Sequence, residues 1–309
     1  MSASAITIIG EAVIDLVEGP DGQFAAHPGG SPLNVAVGLA RLGMPARLLA
    51  RLSAAPLGRR LREYAEANGV DLSHAVTATE PATLSVVSLA ADGTAAYDFY
   101  VDGTADWQWQ PAELAPALDH HGILHAGSLA AFLTPGAEHV GDTLRAAQER
   151  GMVVSLDPNI RPGLVGTRAQ ARATVEQLVS YAHVVKASDE DIAWLYPDER
   201  VGDVLQHWRG LGAVLTIATL GPEGAVAATG AGVLREAAPV VEVVDTIGAG
   251  DAFTAGLLAE LYRFGSGPAW HEHDIAGAMR FAVETAAITC TRAGADPPHR
   301  GQLPGRTIP

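Results

Sequence analysis

The segment Val243-Val244-Asp245-Thr246-Ile247-Gly248-Ala249-Gly250-Asp251-Ala252-Phe253 concentrates residue types that can do chemistry. Small residues stand directly before a stretch with helical patterning. Glycines let a backbone approach a ligand closely, and the free N–H groups at a helix start point outward. Together with the helix dipole they make an anion site. Asp251 has two readings there. A carboxylate is a common helix N-cap. Alternatively the anion is a reacting phosphoryl group, and Asp251 takes a proton from the attacking hydroxyl. Spacing alone favours the cap. A side chain at Gly250 is expected to block the anion and to need a disfavoured backbone angle.

Other constellations carry less. No Gly-x-Ser-x-Gly occurs, so a nucleophile elbow has no support. Lys186 is the only lysine, and Val185 precedes it where a Walker A loop needs glycine. Gly248-Ala249-Gly250 lacks the third glycine of a dinucleotide fingerprint. His271-Glu272-His273 lacks the i, i+4 spacing of a zinc helix and reads as an exposed loop. His120-His121 reads as a solvated strand entry, and Cys290 as packing.

Composition narrows the class. Acidic residues number 35 against 20 basic ones, a net charge of −15. Such a surface repels phosphate backbones and anionic membranes, which argues against nucleic-acid and membrane roles. The single cysteine forbids an intrachain disulfide and a thiolate zinc cluster, and fits a cytoplasmic location. The N-terminus lacks a basic n-region, and no uncharged apolar run approaches membrane-spanning length. With 309 residues and 48% hydrophobic content there is ample core for one large domain.

The elements that must position these residues follow from patterning. Strands are expected over 5–9, 46–52, 122–125, 153–156, 184–186 and 213–217. Helices are expected over 34–42, 58–68, 138–150, 168–181, 203–211, 251–262 and 275–290. Alternating strands and helices imply an α/β fold with a parallel sheet covered on both faces. Residues 11–27, with a turn at Gly19–Gly22, and the pair 83–90 and 94–101 around Asp92-Gly93 break that rhythm. They read as an inserted antiparallel patch. A further hairpin is expected over 225–236, and the tail beyond Pro297 is expected to be irregular.

Asp245-Thr246-Ile247-Gly248-Ala249-Gly250-Asp251 resembles the Asp-Thr-x-Gly-Ala-Gly-Asp signature of the ribokinase-like (PfkB) sugar kinases. Gly29-Gly30-Ser31-Pro32-Leu33-Asn34-Val35-Ala36 resembles their N-terminal signature. With both in register, the chain is identified as a member over nearly its whole length, of fructokinase type. The resemblance implies a ribokinase-like central, mostly parallel sheet flanked by helices in a single domain spanning 1–309. A small β-sheet lid, inserted from about 11–28 and 82–105, would close over a sugar. ATP, with Mg²⁺, would donate its γ-phosphoryl to a sugar hydroxyl.

Residue by residue, the resemblance makes Asp251 the general base and Gly248, Ala249 and Gly250 the anion hole. Asp15, Gly30 and Asn34 match sugar contacts, since a carboxylate or amide can each bridge two vicinal hydroxyls. Asp157-Pro158-Asn159-Ile160-Arg161 resembles the Asp-x-Asn-x-Arg of fructokinases and ketodeoxygluconate kinases, so Arg161 joins the substrate side, able to neutralise phosphate charge. Lys186 and Ser188 fall where the family has Asn-x-x-Glu. Asp191 stands in place of that glutamate, with an indirect Mg²⁺ role. Thr219, Gly221 and Gly224 resemble the adenosine-phosphate loop. Asp245 and Ile247 would offer oxygens to K⁺, opposite the turn at 292–295. Ala55 replaces an aspartate of relatives and is expected to change a contact near the sugar.

The acceptor is expected to be fructose, with 2-keto-3-deoxygluconate, ribose and nucleosides as alternatives. The stretch 97–106 holds Asp98, Asp102 and Asp106 and no arginine, which would repel an anionic sugar if an acid faced the pocket. A non-catalytic sugar-binding relative would be expected to lose Asp251 or its glycines, and both are intact. The expected partners are a small sugar and a second copy docking through the lid.

Overall fold

The computed structural model describes residues 4–19, 21–89, 95–119, 121–265 and 267–303. The chain opens with β1 (Ala5–Ile9), then the hairpin β2 (Val13–Glu18) and β3 (Phe24–Gly29), then α1 (Ser31–Arg41). β4 (Ala46–Leu49), β5 (Arg51–Ser53), α2 (Pro56–Ala67) and β6 (Val76–Ala78) follow. A second hairpin, β7 (Leu84–Leu89) and β8 (Ala95–Tyr100), precedes the short α3 (Pro111–Leu114) and β9 (Gly122–Gly127). The alternation then runs α4 (Ala137–Glu149), β10 (Val153–Asp157), α5 (Arg168–Val179), β11 (Val184–Ser188), α6 (Asp189–Leu195), α7 (Val201–Gly210) and β12 (Leu215–Thr219). β13 (Ala225–Ala228), β14 (Val233–Glu236), α8 (Ala249–Arg263) and α9 (Glu272–Cys290) complete the order.

Eight strands form the large sheet in the order β14-β13-β12-β11-β10-β9-β1-β4. The six from β4 to β12 are parallel, and β13 and β14 are antiparallel additions at one edge. Successive residues on a strand point to opposite faces, so each central strand feeds two cores. Ile8, Leu48, Ile123, Val153 and Val184 pack with residues of α1, α8 and α9. Their neighbours Ile9, Leu49, Leu124, Val154 and Val185 pack with residues of α4, α5 and α7. No helix among the described residues is long and apolar enough to cross a membrane.

The small sheet has the order β3-β2-β7-β8. Each hairpin is antiparallel, but β2 and β7 join in parallel. The expected antiparallel patch is therefore mixed. Register places His27, Asp15, Ser85 and Phe99 in one row across its four strands.

Other expectations shift for local reasons. The strand expected over 46–52 divides at Ala50, and β5 leaves to pair with β6 in a separate two-stranded sheet. The helix expected over 34–42 begins earlier, since α1 already starts at Ser31. Pro32 fits its first turn because no N–H is needed there. His271, expected in a loop with Glu272 and His273, is the N-cap of α9. The short α6 is absent from the sequence reading. Asp92-Gly93, His120, Pro20 in the first hairpin turn, and the tail from 304 onward lie outside the described residues.

Candidate active site

The floor of the site is the start of α8. Gly248 is its N-cap in the left-handed region, with φ 76°. A Cβ there would lie 2.6 Å from the Ala295 side chain, so only glycine meets both demands. Gly250 is different from expectation. Its backbone angle is ordinary, and a Cβ would instead lie 3.0 Å from Lys186 Nζ. The constraint at Gly250 is space, and a lysine is part of what fills it.

Asp251 lies within the first turn and caps nothing. Its Oδ1 accepts from Ser31 Oγ at 2.6 Å and its Oδ2 from Asn34 Nδ2 at 2.8 Å. These donors come from α1, more than two hundred residues away in the chain. Burial raises the Asp251 pKa, while the two hydrogen bonds and Lys186 work against that rise. A partly buried carboxylate with an elevated pKa, beside free helix N–H groups, suits proton abstraction next to a developing anion.

Lys186 Nζ donates to Asp157 Oδ2 at 2.8 Å, with both residues buried. Burial alone would lower the lysine pKa, but the Asp157 charge and hydrogen bond prevail and raise it. The ammonium therefore stays charged close to Gly250.

On the opposite wall stands the small sheet. Asp15 leans over Gly29, where a Cβ would fall 2.0 Å from Oδ2. Burial raises the Asp15 pKa, tempered by a hydrogen bond from Ser85 and by the charges of His27 and Arg161. Gly30 has φ 99°, and a Cβ there would lie 3.0 Å from the Glu11 carbonyl. Arg161 Nη1 donates to Asn159 Oδ1 at 2.8 Å and to the Ile160 carbonyl at 3.0 Å, so its own turn holds it. The acids of 97–106 do not face the cleft. Phe99 lines it, Asp98 and Asp102 are exposed, and Asp106 is buried elsewhere. Strand alternation put phenylalanine inward, and with it the expected repulsion of an anionic sugar loses its ground.

The remaining wall comes from the ends of β11 and β12. Ser188 caps α6, accepting from Asp191 N at 3.0 Å. Asp191 Oδ1 accepts from Ile160 N at 2.9 Å and Oδ2 from Ser188 N at 3.3 Å. Both carboxylate oxygens thus serve backbone donors. After Thr219, Gly221 and Gly224 take φ values of 54° and 92°. Exposed Val240 and Val243 make an apolar rim beside them. Asp245 Oδ2 accepts from Gly294 N at 2.8 Å and Oδ1 from Ile247 N at 3.0 Å, which ties the segment before α8 to the turn after α9.

All the candidate residues line one cleft of about 1610 Å³. Asp15, Gly30, Asn34, Arg161, Lys186, Ser188, Asp191, Thr219, Gly221, Gly224, Asp245, Ile247, Gly248, Ala249, Gly250 and Asp251 all contribute to its wall. Ala55 does not. It is the N-cap residue of α2, outside the lining set. No cluster of three or more metal-binding side chains occurs among the described residues. Sequence reasoning missed Ser31 and Asp157 as partners of Asp251 and Lys186, although both stand inside motifs it had singled out. It also missed His27, Ser85 and Phe99. Only the alternation of β2, β3, β7 and β8 relative to Asp15 could have found these.

Comparisons with known proteins agree with this geometry. The pfkB family carbohydrate kinase profile matches residues 3–300. A fructokinase of Rhizobium leguminosarum bv. trifolii is 35% identical over 83% of this chain and 79% of its own length. An aminoimidazole riboside kinase of Salmonella typhimurium is 31% identical over 94% of this chain and 90% of its own. A crystal structure of a fructokinase double mutant from Vibrio cholerae O395, with fructose, ADP and potassium bound, superposes with a TM-score of 0.86. It is 29% identical and covers 94% of both chains. With its two-sheet cleft and its helix-start aspartate, the chain belongs to the pfkB family of carbohydrate kinases, phosphotransferases that act on a sugar hydroxyl.

Proposed function

We propose that this chain is an ATP-dependent fructokinase. The observation that carries the reading is Asp251, held by Ser31 and Asn34 of α1 while sitting among the open N–H groups of α8. Asp15, Gly30 and Asn34 would bind the sugar, with Ser85 steadying Asp15. Asp251 would take the proton of the attacking hydroxyl as its oxygen bonds to the γ-phosphorus and the bond to ADP breaks. Gly248, Ala249 and Gly250 would hold the anionic oxygens, and Lys186 would place its charge beside them. Arg161, across the cleft, would neutralise charge on the transferred group. Ser188, Thr219, Gly221 and Gly224 would carry the nucleotide, against the apolar rim at Val240 and Val243.

Asp191, whose two oxygens each already accept from a backbone N–H, would hold Mg²⁺ only indirectly, and the ion would offset the charge of the transferred phosphoryl group. The Asp245–Gly294 tie fits a monovalent cation held between the Asp245–Ile247 backbone and the 292–295 turn. Turnover is expected to fall when potassium is replaced by a bulky organic cation at matched ionic strength. Equal rates would exclude that role. The small sheet would act as the lid, and its edge strands β3 and β8 expose Phe24 and Tyr100, which fits pairing with a second copy. Light scattering tests that pairing. The single cysteine supports a cytoplasmic reading, as no intrachain disulfide is needed for this fold.

The deciding experiment is ADP release across fructose, 2-keto-3-deoxygluconate, ribose and aminoimidazole riboside. Fructose is expected to give the highest kcat/KM. A preference of about tenfold for another acceptor, roughly 1.4 kcal/mol of transition-state binding, would overturn the assignment.

A further inference from the structure

Four connections join the small sheet to the rest of the chain, at residues 10–12, 29–30, 79–83 and 101–105. They converge on one buried carboxylate. Asp106 Oδ1 accepts from Ala12 N at 2.9 Å, and Oδ2 accepts from Thr83 Oγ1 at 2.6 Å. Thr83 Oγ1 also lies 2.6 Å from Thr104 Oγ1, and Ala105 N donates to the Pro81 carbonyl at 2.9 Å. The fourth connection rides on the first, since a Cβ at Gly30 would meet Glu11 O, Val13 N and the Ala12 Cα within 3.4 Å. Asp106 and Thr83 are 1% and 0% exposed, so water competes for none of these bonds.

The two legs of Asp106 lead straight to the sugar-facing row. Ala12 stands three residues before Asp15, and Thr83 two before Ser85. Asp15 and Ser85 are register partners on β2 and β7, joined by the hydrogen bond from Ser85. Arg51 braces the same point from the large core, donating through Nε to the Ala105 carbonyl at 3.0 Å and pairing with Glu80 and Glu113. Burying a carboxylate costs free energy that an apolar side chain would not. Its retention at this junction therefore calls for a role that packing alone does not supply.

We propose that Asp106 is a positioning residue for sugar binding. Its carboxylate fixes where β2 and β7 enter the small sheet, and so fixes Asp15 and Ser85 relative to Asp251. Among the described residues, the half of the cleft built from β11, β12 and the 238–250 segment, read as the nucleotide side, makes no hydrogen bond to this junction. This proposal rests on the reading of the small sheet as the sugar-binding wall.

The test is steady-state kinetics of Asp106→Ala, Asp106→Asn and Thr83→Val against wild type, with fructose and ATP varied separately. Asp106→Ala is expected to raise the KM for fructose by ~10 to 100-fold, the scale of a misplaced binding group, while the KM for ATP stays within about twofold. Asp106→Asn is expected to restore the fructose KM to within about threefold, because the amide oxygen still accepts from Ala12 and the Thr83 hydroxyl can turn to accept from the amide. Parallel rises in both KM values, an unchanged fructose KM in Asp106→Ala, or no rescue by asparagine would each overturn the proposal. If Asp106→Ala does not fold, Thr83→Val decides alone: a selective rise in fructose KM supports the proposal and an unchanged value refutes it. If the wild type does not phosphorylate fructose, the substrate assignment fails and hydrogen exchange judges the junction. Asp106→Ala, or Thr83→Val in its place, should then speed exchange in 13–18 and 84–89 but not in 184–188 and 215–219. Equal acceleration in both sheets would refute it.

Discussion

At the scale of single residues, Asp251 is a carboxylate whose charge burial makes costly. Burial raises its pKa above the ordinary aspartate value, so the ionised carboxylate costs the folded protein more than it costs the unfolded chain. Asp251→Asn is nearly isosteric and can still accept from Ser31 or Asn34, but it cannot take a proton. It is expected to lower kcat by ~10² to 10⁴ with fructose KM nearly unchanged. The same change should leave the melting temperature equal or higher at pH 7, because a group whose folded pKa is raised destabilises the fold once ionised. Retention of more than about a third of wild-type kcat would dismiss Asp251 as the base. A falling melting temperature would instead show that the carboxylate mainly braces α1 against α8.

At the scale of elements, the start of α8 is shaped by two glycines with unlike reasons. Gly248 needs the left-handed region and also touches Ala295, while Gly250 needs only room beside Lys186. Gly248→Ala is therefore expected to cost stability, ~1 to 3 kcal/mol for a strained residue in that region. Gly250→Val, in contrast, should fold with a normal circular dichroism spectrum and lose turnover, since its side chain displaces the Lys186 ammonium and crowds the anion site. Normal kinetics for Gly250→Val would reduce the loop to a helix start. The small sheet has its own logic at this scale. One register unit decides that Phe99 and not Asp98 lines the cleft, as a slip of one residue turns every side chain to the other face.

At the scale of the whole molecule, buried acids make stability depend on pH in an unusual direction. Burial raises the Glu11 pKa from 4.5 to about 7, and the nearby Asp106 charge adds to the rise. Glu11 is otherwise held by Ser128 and by the Ala130 N–H at 3.3 Å. The folded state binds this proton more tightly than the unfolded chain does. Its stability is thus fully present below pH ~4.5 and lost as pH rises through about 7. Between pH 8 and 5 the wild type should gain up to ~3 kcal/mol from this group, before other carboxylates are counted. Glu11→Gln should flatten that slope, read by denaturant midpoints of both proteins across the range. Parallel curves for the two would refute the assignment.

Much of the chain was legible before any fold was in hand. Alternating apolar strands and amphipathic helices dictated the parallel sheet, because those periodicities have no other way to bury both faces. The run from Asp245 to Asp251 marked the helix start that forms one wall of the cleft, since small residues before a helix leave N–H groups open whatever surrounds them. Two hairpins that broke the rhythm located the small sheet. Tertiary structure decided what depends on distant partners. It turned Asp251 from a cap into a held carboxylate through Ser31 and Asn34, placed Lys186 against Gly250 by way of Asp157, and hid Asp106 at the junction of the sheets. It also joined β2 to β7 in parallel, a pairing between segments some seventy residues apart. Periodicity states which face of a strand is buried, but not which neighbour that face will meet. That choice is made by packing across the whole chain, and the cleft-facing row of His27, Asp15, Ser85 and Phe99 exists only once it has been made.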